Sequence, residues 1–211
     1  GRTKEHITLT TPCRTGGFGG VRGLVDYLRQ ESIDCVIDAT HPFASQISFN
    51  AAQATSECSI PRLMLIRPAW EKVEGDLWIE VESHQEATNI LPQLAQRVFL
   101  TIGRQELAIY AYLKDIWFLM RMIDPPEPPI PKGKLLLQRG PFSLESEREL
   151  LQKYRIGAIV SKNSGGDATY PKIIAARELG ITVVMVQRPP IPKGEKVADV
   201  ESVITWLENR L

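Results

Sequence analysis

Short runs of β-branched and aliphatic residues alternate with amphipathic stretches along this chain, and the alternation occurs twice over. Such a pattern selects βα units and a parallel sheet, because each crossover helix needs an apolar stripe to lay on the sheet face. The strand runs are Ile7–Thr10, Cys35–Asp38, Arg62–Ile66, Leu77–Val81, Val98–Ile102, Trp117–Met122, Leu135–Gln138, Ala158–Ser161 and Thr182–Val186. The helical stretches are Val21–Glu31, Phe43–Glu57, His84–Gln96, Gln105–Leu113, Leu144–Tyr154, Tyr170–Leu179 and Val200–Asn209.

The two halves echo each other. Gly16-Gly17-Phe18 precedes one helix and Gly140-Pro141-Phe142 another. Each helix leads to an Ile (Ile33, Ile156) and then to a buried strand, Val36-Ile37-Asp38 or Ile159-Val160-Ser161. A turn, a helix and a second strand follow, and both strands end in Arg-Pro, at Arg67-Pro68 and Arg188-Pro189. The expected fold is therefore α/β: two similar Rossmann-like parallel-sheet domains facing a central cleft, residues 1–96 and 97–211. In the second half a complete βαβ unit precedes the Leu135 strand, whereas only Gly1–His6 precede the equivalent Ile7 strand. Matching the halves leaves the first short by roughly 28 residues, about one βαβ unit, so an N-terminally incomplete chain is expected. The piece concerned would hold the first strand-to-helix turn, where doubly wound folds place a glycine-rich phosphate loop.

Lys+Arg and Asp+Glu each number 25, so no basic excess draws the chain to nucleic acid. No apolar run is long enough for a bilayer. The three cysteines, Cys13, Cys35 and Cys58, lack CxxC spacing and read as reduced, mostly buried thiols of a cytoplasmic protein. No His/Cys/Asp/Glu cluster suggests a metal. Pro125, Pro126, Pro128, Pro129 and Pro131 read as a stiff rim segment between strands.

Ligands of open α/β sheets sit beyond the carboxyl ends of the strands, and three loops there carry polar residues. In Asp38-Ala39-Thr40-His41-Pro42-Phe43-Ala44, Pro42 holds His41 extended and opens a helix. Thr40 and His41 then stand at a helix N-terminus, which attracts anionic or carbonyl groups; a plain capping role fits Thr40 equally. His6 and His84 read as surface residues. In Ser161-Lys162-Asn163-Ser164-Gly165-Gly166-Asp167-Ala168-Thr169, two adjacent glycines turn backbone N–H groups toward a ligand, while Asn163, Ser164, Thr169 and Lys172 add donors. That combination suits phosphate or carboxylate. It is not a Walker A sequence, so ATP is not implied. The third loop, Thr101-Ile102-Gly103-Arg104, offers Arg104 to a carboxylate or to solvent. These residues define a binder of anionic small molecules, and no reaction type follows from them.

The loops Asp38–Ala44 and Ser161–Gly166 resemble the precorrin-6A reductase / cobalt-precorrin-6A reductase family of cobalamin biosynthesis. The likeness extends to Gly1-Arg2-Thr3, Gly16–Gly20, Thr101–Arg104, Ile123–Pro128 and Leu179–Pro189, in order along essentially the whole chain. The family opens with a strand and a Gly-Gly-Thr-type turn that this sequence lacks.

The resemblance implies NADPH- or NADH-dependent reduction of one macrocycle double bond of precorrin-6A, or of its cobalt form, to precorrin-6B. It places the cofactor at Arg2, Thr3, Gly17, Gly19, Thr40, His41 and Pro42, with Arg2 reading the 2′-phosphate of NADP and His41 aligning the hydride step. The carboxylate-rich tetrapyrrole would lie on Arg104, Lys162, Asn163, Ser164, Gly165, Gly166, Thr169 and Lys172. A monomer or weak homo-oligomer without nucleic-acid, membrane or metal partners is expected. Two rival classes remain: a non-catalytic two-lobed small-anion binding protein and a nucleotide-sugar transferase-like enzyme.

Overall fold

A computed structural model describes residues 11–210. The strand expected at Ile7–Thr10, and Arg2 and Thr3, lie outside the described residues. In chain order the elements are α1 (Gly20–Gln30), β1 (Val36–Asp38), α2 (Ser45–Cys58), β2 (Arg62–Leu65), β3 (Trp78–Val81), α3 (His84–Leu94), β4 (Arg97–Thr101), β5 (Trp117–Met122), β6 (Gly133–Leu137), α4 (Leu144–Lys153), β7 (Ala158–Lys162), α5 (Pro171–Glu178), β8 (Thr182–Val186), β9 (Glu195–Val197) and α6 (Val200–Glu208). Two compact units result: one takes the chain as far as Pro68 and again from Pro189, the other is Ala69–Arg188.

The first unit holds a three-stranded parallel sheet in the order β1-β2-β9. Helices α1 and α2 pack on each other through Leu24, Val25, Leu28, Ala51 and Ala54. The small side chains of Ala51 and Ala54 let the two helices approach closely, and Phe18, Val21, Ile33 and Cys58 close the edges of that core. Cys13 is exposed while Cys35 and Cys58 are half-buried, all three as free thiols. The expectation of mostly buried cysteines fails at Cys13, which lies in the loop ahead of α1.

The second unit holds a six-stranded sheet, β3-β8-β7-β4-β5-β6, parallel at every pairing. Its central strands are covered on both faces, so Val98, Phe99, Leu100, Ile159, Val160 and Val184 are wholly buried in sequence-consecutive runs. From β4 the chain moves outward through β5 to β6, then returns to the other side of β4 with β7. The gap between the carboxyl ends of β4 and β7 is thus a topological switch point, where such sheets take ligands.

The expected division after residue 96 falls inside the second unit. The reason is strand exchange between the halves. β3, which follows Arg67-Pro68, pairs with β8 from Trp78↔Val183 to Val81↔Val186. β9, which follows Arg188-Pro189, pairs with β2 from Leu63↔Glu195 to Leu65↔Val197. Each half thus gives its last strand to the other unit's sheet, and the repeated Arg-Pro marks the departure.

The stretch expected as a helix over Gln105–Leu113 is instead a 3₁₀ segment, Arg104–Tyr110. Leu107 and Tyr110 are both fully buried, and their three-residue spacing suits three residues per turn.

Candidate functional site

In the first unit, β1 ends at buried Asp38. Its Oδ1 accepts the backbone N–H of Thr40 at 3.1 Å and the Thr40 hydroxyl at 2.6 Å. That hydroxyl also lies 3.1 Å from Ser48 Oγ. Thr40 therefore does not cap α2: the position preceding the helix is Ala44, and no side chain bonds to its first turn. Asp38 Oδ2 is buried without a hydrogen-bond partner. His41 is exposed, and its Nδ1 accepts the Phe43 N–H at 3.2 Å. That bond fixes the tautomer, putting the ring proton of the neutral imidazole on Nε2. Pro42 is half-buried between them.

Ahead of α1, Gly17 and Gly19 are exposed. Gly19 and Gly20 both have φ 80°, a left-handed conformation that glycine adopts without cost. A Cβ built on Gly16, Gly17, Gly19 or Gly20 would have no atom within 4 Å. Arg14 curls this wall by donating to the carbonyls of Gly16 (3.4 Å) and Gly17 (3.0 Å). Helix α1 has no side-chain cap and no acidic residue in its first turn. Uncapped N–H groups beneath open glycines, beside an arginine, fit the phosphates of a dinucleotide.

In the second unit the loop after β7 is built around Trp70, which no sequence motif singles out. The Asn163 side chain accepts from the Trp70 N–H at 2.8 Å and donates to the Trp70 carbonyl at 3.0 Å. Trp70 Nε1 in turn donates to the Gly166 carbonyl at 3.0 Å. Arg188, the arginine of the second Arg-Pro, holds the Asn163 carbonyl at 2.8 Å. Gly165 and Gly166 take φ 70° and 80°, leaving Ser164 and Thr169 partly exposed on the same turn.

Lys172 lies beneath this loop and not on it. Only 3% exposed, its ammonium sits 4.5 Å from the Trp70 ring centroid and donates to the Thr169 carbonyl at 2.9 Å. Burial, and after it Arg121, pushes its pKa down to about 7, with Glu147 working the other way. Asn163 and Lys172 thus shape the loop from below, their polar groups engaged by protein, while Ser164, Gly166 and Thr169 form its outer side.

Lys162 and Arg104 flank the switch point. Lys162 Nζ donates to Glu106 Oε1 at 2.6 Å, and side-chain exposure is 12% and 21% respectively. Burial would push the Glu106 carboxyl up, yet its bond to the Lys162 ammonium holds it below the ordinary value. Behind the pair, His84 Nδ1 lies 2.8 Å from the Tyr110 hydroxyl. Burial and then Lys162 bring His84 down to about 4, so it is neutral at pH 7. His84 is consequently not a surface residue: α3 begins at this position and turns the ring inward against Tyr110. No sequence motif assigns a site role to Glu106, Trp70, Arg188 or His84, because their partners lie far along the chain.

The fold and loops define a doubly wound α/β protein with anion-receptive turns at strand carboxyl ends and a half-buried ion pair at a switch point. The chain belongs to the family described as Precorrin-6x reductase CbiJ/CobK, which matches residues 1–208. This is a family of oxidoreductases acting on a CH–CH bond, and a reductase of this kind implies a nicotinamide cofactor. Among its relatives, precorrin-6A reductase of Rhodococcus erythropolis is 44% identical over 209 residues, spanning 98% of this chain and 84% of the relative. The precorrin-6A reductase of Mycobacterium tuberculosis strain H37Rv is 47% identical over 96% of this chain and 82% of its own length. The cobalt-precorrin-6A reductase of Priestia megaterium is 29% identical, over 89% of this chain and 78% of the relative. A solved structure titled CobK precorrin-6A reductase superposes with a TM-score of 0.92 at 41% identity, covering 99% of this chain and 84% of that one. Among the described residues no helix is long and apolar enough to cross a membrane.

Proposed function

We propose that this protein, acting in the cytoplasm, uses NADPH or NADH to reduce one double bond of the precorrin-6A macrocycle, giving precorrin-6B. The observation that carries the reading is the pattern of identities. Relatives named for the metal-free substrate stand at 44% and 47%, and one named for the cobalt form at 29%. The metal-free tetrapyrrole is accordingly the preferred substrate.

When bound, the nicotinamide supplies a hydride to the macrocycle. The residues of the first unit bind and orient it: the open backbone at Gly17 and Gly19 receives phosphate, and Arg2 and Thr3 read the ribose end. Thr40, held rigid by Asp38, and His41 with Pro42 fix the nicotinamide end. Substrate carboxylates are taken by Arg104, Lys162, Ser164, Gly165, Gly166 and Thr169, with Asn163 and Lys172 acting through the shape of the loop. A charge-assisted hydrogen bond contributes about 1.5–3 kcal/mol, so several such contacts suffice for a polycarboxylate.

The test is oxidation of reduced nicotinamide in the presence of precorrin-6A, followed by its absorbance. His41→Ala should lower kcat while leaving cofactor affinity nearly unchanged, since misalignment costs rate more than binding. Arg2→Ala should weaken NADPH more than NADH. No turnover with either cofactor would refute the reading, and equal losses of the two cofactors would remove Arg2 from phosphate recognition.

A further inference from the structure

Adding two hydrogens across a double bond takes a hydride and a proton. The nicotinamide accounts for the first. The second must come from a group near the reacting carbon, or the anion left by hydride addition returns to starting material. The switch point of the six-stranded sheet carries a cluster suited to that work: Lys162 at the end of β7, Glu106 in the 3₁₀ segment after β4, and His84 and Tyr110 behind them.

The Lys162–Glu106 pair is held in place by its surroundings. β4 and β7 are adjacent, with Thr101 paired to Ser161, so the residues that follow each strand emerge side by side. The Glu106 carboxylate occupies the space above Gly103, where an added Cβ would come within 2.7 Å of Oε2 and 3.8 Å of Lys162 Nζ. A side chain at that position would require the Glu106 carboxyl end to shift. Tyr110 is wholly buried, and its contact with His84 closes the floor of the cluster.

Of the four groups, three are poor proton donors at neutral pH. His84 is already neutral, Glu106 is held ionised, and burial raises the Tyr110 phenol above its ordinary value. Tyr110 and the His84 Nε2 are buried, whereas Lys162 Nζ is partly exposed at the strand end and bears N–H bonds, and the carbanion conjugated into a tetrapyrrole that follows hydride addition is basic enough to take a proton from it.

We propose that Lys162 is the catalytic acid of the reduction and Glu106 its positioning residue. This rests on the reductase reading above. The hydride forms a C–H bond at one carbon of the double bond as the nicotinamide is oxidised to its pyridinium. At the neighbouring carbon a second C–H bond forms from the Lys162 N–H bond that breaks. Lys162 is left as a neutral amine and regains a proton from water. The substrate gains two electrons and two hydrogens, and the cofactor loses the hydride.

A lysine that merely anchors a substrate carboxylate is distinguished by the choice of variant. Lys162→Arg keeps the charge, but a guanidinium does not release its proton at any accessible pH. In the full chain, Lys162→Arg should leave substrate KM within a fewfold of wild type and lower kcat by about a hundredfold, the scale of general-acid catalysis. Lys162→Met should lose both binding and rate. Glu106→Gln should give a smaller fall in kcat with KM held, and circular dichroism of each variant confirms its fold. In D2O the wild type should incorporate one deuterium stereospecifically at the carbon adjoining the hydride acceptor. Wild-type kcat in Lys162→Arg would overturn the proposal while leaving the reductase reading intact. Failure of the wild type to oxidise reduced nicotinamide with precorrin-6A would overturn both.

Discussion

Lys172 offers a direct measure of what a buried ammonium costs this fold. In the unfolded chain it holds its proton up to its ordinary pKa of 10.5, and in the folded chain only up to about 7. Between those values the unfolded chain binds more protons, so stability rises with pH across this window. Below about 7 both states are protonated and the full penalty stands. Above 10.5 both are neutral and it is gone. The displacement corresponds to about 5 kcal/mol, at roughly 1.4 kcal/mol per pH unit. Replacing Lys172 by Met removes this titration. It also gives up the bond to the Thr169 carbonyl, which is worth about 1 kcal/mol. Near pH 7 the Met variant should therefore be more stable than wild type by about 4 kcal/mol. The difference should shrink by roughly 1.4 kcal/mol for each pH unit gained. Urea unfolding of both proteins at several pH values between neutral and mildly alkaline reads this out, because the pH dependence of every other group cancels in the comparison. A gap that stays constant with pH, or a Met variant less stable than wild type throughout, would refute the reasoning. The same variant should raise substrate KM, since the stability that Lys172 gives up goes into the shape of the loop above it.

Two further outcomes follow from buried polar groups. The Arg121 guanidinium and Glu147 carboxylate pair with side-chain exposure of 6% and 1%, and Arg121 lies 3.7 Å from the Phe142 ring centroid. Glu147→Leu leaves that guanidinium buried without its carboxylate and should cost about 3–5 kcal/mol in chemical denaturation, most of which Arg121→Met in the same chain should restore. Trp70→Phe keeps a ring under Lys172 but removes the Nε1 bond to Gly166. It should cost about 1 kcal/mol and speed amide hydrogen exchange across Gly165–Asp167, and unchanged exchange there would show that the bond does not hold the loop.

The parts of this fold that could be read from sequence are those whose cause is local. Val98–Leu100, Ile159–Val160 and Thr182–Val186 are apolar runs because strands covered on both faces must be, and the expected strand limits there agree with the observed ones to within about one residue. α5 could be read from Pro171, which suits a first helical turn, and from Gly180 just past its end, at φ 64°. β9 could not be read: Glu195-Lys196-Val197 has no apolar pattern, and it is a strand only because the edge of β2 offers it a ladder. Pairing of that kind joins residues well over a hundred positions apart, so no window of sequence contains its cause. The exchange of end strands was hidden for the same reason, although its markers, Arg67-Pro68 and Arg188-Pro189, were visible as a repeat. The site divides along the same line. Glycines, the Asp38–Ala44 turn and the charged residues at strand ends announced themselves by type. Whether a given charge faces a ligand or the protein depended on partners that sequence does not name: Trp70, 93 residues from Asn163, and Glu106, 56 residues from Lys162. Two residues with similar sequence credentials, Lys162 and Lys172, thus fall to opposite sides of one loop. The first stands at the switch point where chemistry is possible, and the second lies beneath the loop, setting its shape.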